Sequence, residues 1–309
     1  MDNIKKLGLS ALAGSMVATS VSAGELSASG SWALSYTSED SDAVNGQAWT
    51  MGDSVTFTGS GELDNGWTAS VSYELDGGAF DDEQLKLDMG SMGEFAYGES
   101  KSGYGIDIAS NMVPAVDTAL YSAVGTDTTS YGVARSAQDV GNLGYKLAMD
   151  GGVTVSVEMA RNTTAGGTDA TYGVTYTGID GLTLAGGAGE VKTGGSAEEE
   201  SFTMGAKYAW DAFTFGAQIT EVDIAGSTED EEGIHLGVSY NVNDDISVSY
   251  GIQETDFSGS SSTEEHSGLQ ASYSMGSISF SGRITKLDNM GGSASADDED
   301  KHLTMSISF

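Results

Sequence analysis

Leu26-Ser27-Ala28-Ser29-Gly30-Ser31-Trp32-Ala33-Leu34-Ser35-Tyr36 alternates: Leu, Ala, Gly, Trp, Leu and Tyr take every second position, and serine fills most of the others. Successive side chains of an extended chain point to opposite faces, so this stretch reads as a strand with one apolar and one polar side. The pattern returns. Trp67, Ala69, Val71, Tyr73 and Leu75 interleave with Thr68, Ser70, Ser72 and Glu74. Val153, Val155, Val157 and Met159 interleave with Thr154, Ser156 and Glu158. Phe213 to Thr220 and Ile246 to Gln253 do the same. Sixteen such runs are predicted, near 25–37, 51–63, 66–76, 83–90, 93–100, 142–149, 152–160, 170–177, 182–191, 200–209, 212–222, 233–241, 246–256, 267–275, 277–288 and 301–309.

The links between runs alternate as well. Seven are tight, such as Asp64-Asn65-Gly66, Asp150-Gly151, Trp210-Asp211 and Gly276. Eight are longer, near 38–50, 77–82, 101–141, 161–169, 192–199, 223–232, 257–266 and 289–300. Short turns at one end and long loops at the other describe an up-and-down barrel crossing an outer membrane. Most runs have the length that a tilted strand needs to cross the hydrocarbon. A secreted sandwich or repeat protein would also alternate, but has no reason to alternate its link lengths. Tyr36, Tyr73, Tyr97, Tyr176, Tyr208, Tyr240, Trp210 and Phe213 fall near strand ends, where an interfacial girdle belongs.

Composition removes other classes. The 309 residues hold 12 Lys and Arg against 46 Asp and Glu, a formal charge of −34. A phosphate-binding surface needs the opposite balance, so a nucleic-acid partner is not expected. With no Cys there is no disulfide scaffold and no thiolate chemistry. The chain is 39% hydrophobic with 13 Tyr, 9 Phe and 4 Trp, too apolar for a solvated acidic coil. Neither a G-x-S-x-G elbow, a Walker loop nor an H-E-x-x-H helix is present, and His235, His266 and His302 lie far apart in sequence, with His266 in a loop. An enzyme is therefore not expected.

Residues 1–23 read as a secretory signal: Lys5 and Lys6, then an apolar stretch from Leu7 to Val17, then Val21-Ser22-Ala23 before Gly24. Residues 24–309 form the barrel. The last run, His302-Leu303-Thr304-Met305-Ser306-Ile307-Ser308-Phe309, alternates and stops on an aromatic residue. This closing strand, the opening GELSASGSWALSY, the leader and the long link after the fifth run together resemble the Gram-negative general diffusion porins, nearest in flavour to the sixteen-stranded α-proteobacterial type. The resemblance implies a sixteen-stranded antiparallel transmembrane β-barrel with its long third loop, 101–141, folded into the lumen. It implies a homotrimer in the outer membrane, and a terminal strand ending at Phe309 that the barrel-assembly machinery reads. The terminal strands would supply the trimer face, through Trp32 and Leu34 with Leu303, Met305 and Ile307.

Sixteen strands enclose more space than side chains fill, so an aqueous channel follows and something must narrow it. The loop KSGYGIDIASNMVPAVDTALYSAVGTDTTSYGVARSAQDV carries the one proline, Pro114, and the resemblance points to Asp107, Asp117 and Asp127 as its constriction carboxylates. An extracellular lid or an oligomer latch is the other reading of the loop. By parity, Lys86, Lys146, Lys207 and Arg283 face inward, as do Glu74, Asp88, Glu94, Glu158, His235 and His302. The family implies basic wall residues opposite an acidic loop, yet bases are scarce here and inward acids are not. Rings of Asp and Glu favour cations. The expected function is a cation-preferring pore for passive diffusion of small hydrophilic solutes and ions. The alternatives are a non-conducting surface or adhesive barrel, and an acidic secreted all-β structural protein. No cofactor is expected. Runs such as Glu198-Glu199-Glu200, Glu229-Asp230-Glu231-Glu232 and Asp297-Asp298-Glu299-Asp300 leave Ca²⁺ at the acidic outer loops open beside simple salt screening.

Overall fold

The computed structural model describes residues 24–41, 45–77, 79–98, 103–114, 141–162, 166–194, 197–224, 230–294 and 296–309. Residues 1–23, expected to be a leader, and most of the third loop, with Asp117 and Asp127, lie outside the described residues. Sixteen strands form one sheet. They are β1 (Glu25–Ser41), β2 (Asn45–Glu62), β3 (Thr68–Asp76), β4 (Ala79–Asp88), β5 (Glu94–Gly98), β6 (Asn142–Met149), β7 (Val153–Arg161) and β8 (Thr168–Ile179). Then come β9 (Leu182–Gly194), β10 (Ala197–Trp210), β11 (Phe213–Ile224), β12 (Glu231–Asn241), β13 (Ile246–Phe257), β14 (Glu264–Met275), β15 (Ile278–Asp288) and β16 (Asp298–Ser308). Each pairs antiparallel with its sequence neighbours, and β1 pairs with β16, so the sheet closes on itself. Closure leaves no strand edge, which lets every ladder amide find a partner without water.

At the seam, Ser31 to Ser41 run opposite Ser308 to Asp298. Gly30 N–H donates to the Phe309 carbonyl at 2.8 Å, and Phe309 N–H returns the bond at 3.0 Å. The Phe309 ring lies over Gly30, where a Cβ would stand 2.6 Å from it. A side chain at residue 30 would collide with the closing residue.

Alternation sorts the two faces as expected. Tyr172, Phe202, Met204, Ile219, Ile234, Leu236, Leu269 and Leu303 are exposed on one parity, while Thr171, Thr203, Gln218 and His235 are buried on the other. This inverts a water-soluble protein: the apolar side chains face lipid. Trp210, Phe213 and Tyr240 cluster beside the short turns, with the Phe213 and Tyr240 rings 4.7 Å apart, and Tyr36 and Trp49 pair at 5.0 Å toward the opposite end. The tight links are built from residues that tolerate positive φ. Gly181 (φ +73) and Asp211 (φ +53) each sit in a two-residue hairpin, the geometry that matches strand twist.

Three outer links are shorter than the sequence suggests. The stretch 38–50 becomes strand except for 42–44, 77–82 shrinks to 77–78, and 192–199 to 195–196. Polar and acidic residues there read as loop, yet the ladders continue: Tyr36 pairs with Trp49, Ser38 with Gln47 and Asp40 with Asn45. Intact pairing overrides the poor strand propensity of Asp, Asn and Gly. His266 moves for the same reason, from an expected loop into β14.

Candidate pore site

Residues 103–114 lie on the inward-parity face and run past β6 to β12. Their track is a row of glycines: Gly144 on β6, Gly173 on β8, Gly187 on β9, Gly205 on β10, Gly216 on β11 and Gly237 on β12. A Cβ on each would stand 2.5 Å from Tyr104 Cγ, 2.2 Å from the Gly105 carbonyl, 2.7 Å from Ile106 Cγ1, 2.5 Å from Met112 Cγ, 2.2 Å from the Met112 carbonyl and 2.5 Å from Val113 Cγ1, respectively. The segment occupies the volume that side chains would have taken. Ile106 and Ala109 are fully buried, and Ala109 and Met112 pack on Ala185 of β9. A small dry core thus forms inside the barrel, and that burial drives docking.

Polar wall groups satisfy the segment's backbone. Gly105 N–H donates to Ser156 Oγ at 2.8 Å, Ile106 N–H to Thr171 Oγ1 at 3.2 Å, and Met112 N–H to Gln218 Oε1 at 3.2 Å. Gln218 is held by its own donation to Thr203 Oγ1 at 2.8 Å. Lys207 Nζ donates to the Asn111 carbonyl at 3.2 Å. Buried amides that lacked these partners would each cost about 1–3 kcal/mol.

The root of the segment is a charged clamp. Glu94 and Lys146 face each other across β5 and β6, with Nζ 3.4 Å from Oε1. The Tyr104 hydroxyl donates to Glu94. Lys146 Nζ stands 4.9 Å from the Tyr104 ring centroid and Lys86 Nζ 5.9 Å from it, so two cations lie within reach of one aromatic ring. Burial, and then the bond to Glu94, raises the Tyr104 hydroxyl well above the ordinary phenol range. It keeps its proton and remains a donor.

The structure places the expected site residues as follows. Asp107 caps its own turn: Oδ2 accepts from Gly103 N–H at 2.7 Å, and Oδ1 lies 3.3 Å from Ser110 Oγ. Lys86, Lys146 and Lys207 face inward but stand on the flank where the segment docks, not across the lumen from it. Glu158 is buried beneath Gly105, its Cβ 2.8 Å from where a glycine Cβ would be. Glu74 faces inward from β3, partly exposed. Asp88 caps a short turn, accepting from Gly90 N–H at 2.8 Å. Arg283 stands on β15, far round the barrel, its Nη2 3.9 Å from Asp300 Oδ2. The structure therefore gathers three of the wall bases around the docked segment and leaves the fourth apart. The residues missed by sequence reasoning are Tyr104, Ser156, Thr171, Gln218 and the glycine row; inward-parity glycines recurring on adjacent strands were the available signal. Among the described residues no group of three or more His, Asp or Glu side chains is placed to hold a metal ion.

A family profile described as Gram-negative porin matches residues 8–292. Among curated proteins none matches the chain in sequence. The fold is shared with an anion-selective porin from Comamonas acidovorans, at 16% identity and TM-score 0.73, over 93% of this chain and 100% of that one. It is shared with OmpF of Salmonella typhi in complex with daunomycin, at 12% identity and TM-score 0.72, over 93% and 98%. A trimer form of OmpT from Vibrio cholerae matches at 13% identity and TM-score 0.67, over 93% and 99%.

Proposed function

The chain belongs to the Gram-negative porin family, an outer-membrane barrel built as a diffusion channel, and we propose that it is a cation-preferring pore for passive passage of small hydrophilic solutes and ions. The observation that carries this is the fate of the inward bases. Lys86 and Lys146 are drawn to Tyr104 and Glu94, and Lys207 to Asn111, so they serve to dock the segment. The charge left facing permeating ions is dominated by carboxylates in a chain of formal charge −34. Fixed negative charge along a water-filled path concentrates cations and repels anions. Residues 103–114 narrow the lumen from the β6–β12 side. The acidic outer rim is screened by salt rather than by a dedicated calcium site. The Comamonas protein is anion-selective, but a shared barrel at 16% identity does not fix the charge of this chain's lining. Purified protein added to a planar bilayer is expected to produce discrete conductance steps; a silent bilayer would leave the surface-barrel reading.

We further propose that the chain is a homotrimer joined through the outer faces of β1, β2 and β16, with the closing strand, ending at Phe309, read by the barrel-assembly machinery. Support for the trimer face comes from Asp53. It stands on the outward parity of β2, midway between Trp49 and Phe57, and is exposed in the single chain. A carboxylate in the middle of an apolar band is costly against lipid and is satisfied by a polar neighbour in an interface. Asp53→Leu should lower the temperature at which the trimer dissociates, at a cost of roughly 1 kcal/mol per subunit. If Asp53 faces lipid, the same change raises that temperature, and semi-native gel mobility on heating distinguishes the two.

A further inference from the structure

The outer loop between β15 and β16 does not stand above its own strands. Its turn at 289–293 packs against β13 and β14. The loop first closes on itself: Met290 N–H donates to the Ala296 carbonyl at 2.8 Å, and Asn289 N–H to Asp297 Oδ1 at 3.1 Å. It then reaches sideways. Asn289 Nδ2 donates to the Thr263 carbonyl at 3.0 Å, Gly291 N–H donates to Glu264 Oε2 at 2.7 Å, and the Gly292 carbonyl accepts from Ser260 Oγ. Three bonds thus join the turn to the neighbouring loop and the head of β14.

Glu264 decides on which side of the wall the turn lies. Leu269 of β14 is exposed on the lipid face, and Glu264 has the opposite parity, in register with the buried Thr255 of β13. A turn whose amide bonds to this inward side chain lies on the lumen side of β14. Glu264 is 4% exposed. A carboxylate that deep needs partners, and it has the Gly291 amide on one oxygen and His266 Nε2 at 3.0 Å from the other. Gly292 seals the contact. It is buried at φ +69, and a Cβ there would stand 2.2 Å from Ser260 Oγ and 2.5 Å from Ser260 Cβ.

We propose that residues 289–293 form a strap across the outer mouth of the channel, and that Glu264 is the positioning residue that holds it there. Residues 103–114 cover the inner face from β6 to β12, and the strap continues that cover over β13 and β14 at the mouth. It takes this part of the entrance away from an incoming solute. The strap reads Asn-Met-Gly-Gly-Ser and carries no charge, so it limits size rather than sign.

This inference rests on the channel reading but not on its ion preference. The test is the exclusion of graded polyethylene glycols from the single channel, with polymer added to one side of a planar bilayer at a time. E264A and G292L should admit larger polymers than the native protein does from the outer side only. The limit from the other side, where residues 103–114 are the narrowing, should stay native. E264Q should keep the native limit on both sides, because its amide oxygen still accepts from the Gly291 N–H. Heat-modifiable gel mobility checks that each barrel is assembled. A native limit in both E264A and G292L, an equal shift from both sides, or the same shift in E264Q would overturn the proposal. Deuterium exchange reads the clasp without the channel: the Gly291 amide should be protected in the native protein and exchange freely in E264A. Free exchange in the native protein would overturn the proposal whatever the conductance. Anion preference with the one-sided shift intact would contradict the proposed selectivity and leave this inference standing.

Discussion

Replacing Gly173 and Gly216 together by leucine should raise single-channel conductance above that of the native protein while leaving the barrel assembled. The first atoms a Cβ would meet at these two positions all belong to the docked segment. They are the Gly105 carbonyl at 2.2 Å and Ile108 Cγ1 at 2.6 Å for Gly173, and the Met112 carbonyl at 2.2 Å and Pro114 Cδ at 2.5 Å for Gly216. The wall accepts a leucine at both positions; the segment does not. Overpacking typically costs about 1–3 kcal/mol per site, and here a backbone carbonyl blocks the way, which no rotamer change relieves. Residues 103–114 must leave the wall, and the lumen widens by the volume they filled. Heat-modifiable gel mobility checks that the barrel forms, and conductance reads the segment. Native conductance in an assembled variant would mean that the glycine row does not hold the constriction.

The second large effect is at the clamp. Tyr104→Phe keeps the ring near Lys86 and Lys146 but removes the hydroxyl that donates to Glu94. A hydrogen bond to a charged group contributes about 1.5–3 kcal/mol, so the segment should undock more often, seen as more frequent conductance fluctuations under voltage. The pH dependence has a definite sign. The docked state retains the Tyr104 proton beyond the ordinary phenol value of about 10, whereas a free phenol releases it. Docking is therefore at full strength below that value and weakens as pH rises above it. The native protein should grow noisier between about pH 9.5 and pH 11, and Tyr104→Phe, already noisy, should lack that rise. Equal noise in both proteins at neutral pH would show that the hydroxyl does not hold the segment.

The strands were legible because period two is a property of consecutive residues. Leu26 to Tyr36 or Ile246 to Gln253 can be read without knowing what they pair with. Facing was legible for the same reason, and Lys86, Lys146, Lys207 and Arg283 all stand on the inner face that parity gives them. Which part of the lumen each lysine meets was not, because it depends on closure of the sheet and on where the third loop comes to rest. Lys207 and Asn111 are distant in sequence and meet only when the segment crosses β10. The docking track was hard to read for a different cause: a glycine announces itself by lacking a side chain, and the chain has 44 of them. Only six, on the inward face of β6 and of β8 to β12, make a groove. Asp107 is expected at the constriction because it is one of the acidic residues of the third loop. Its bonds to Gly103 and Ser110 are local, and a capped turn was there to be read. The strand extensions beyond Ser38, and His266 with them, were obscured because polar residues above the membrane resemble loop until a partner strand pairs with them.

These parts combine into one physical account. Apolar side chains face lipid, a glycine track and a ring of small polar groups hold residues 103–114 inside, and that docking engages the inward lysines. On the reading proposed above, a permeating ion then meets a path bounded mainly by carboxylates. The most direct test is the zero-current potential of the native protein across a planar bilayer separating two KCl concentrations at neutral pH. The expected sign is that of a channel more permeable to K⁺ than to Cl⁻. The opposite sign would contradict it.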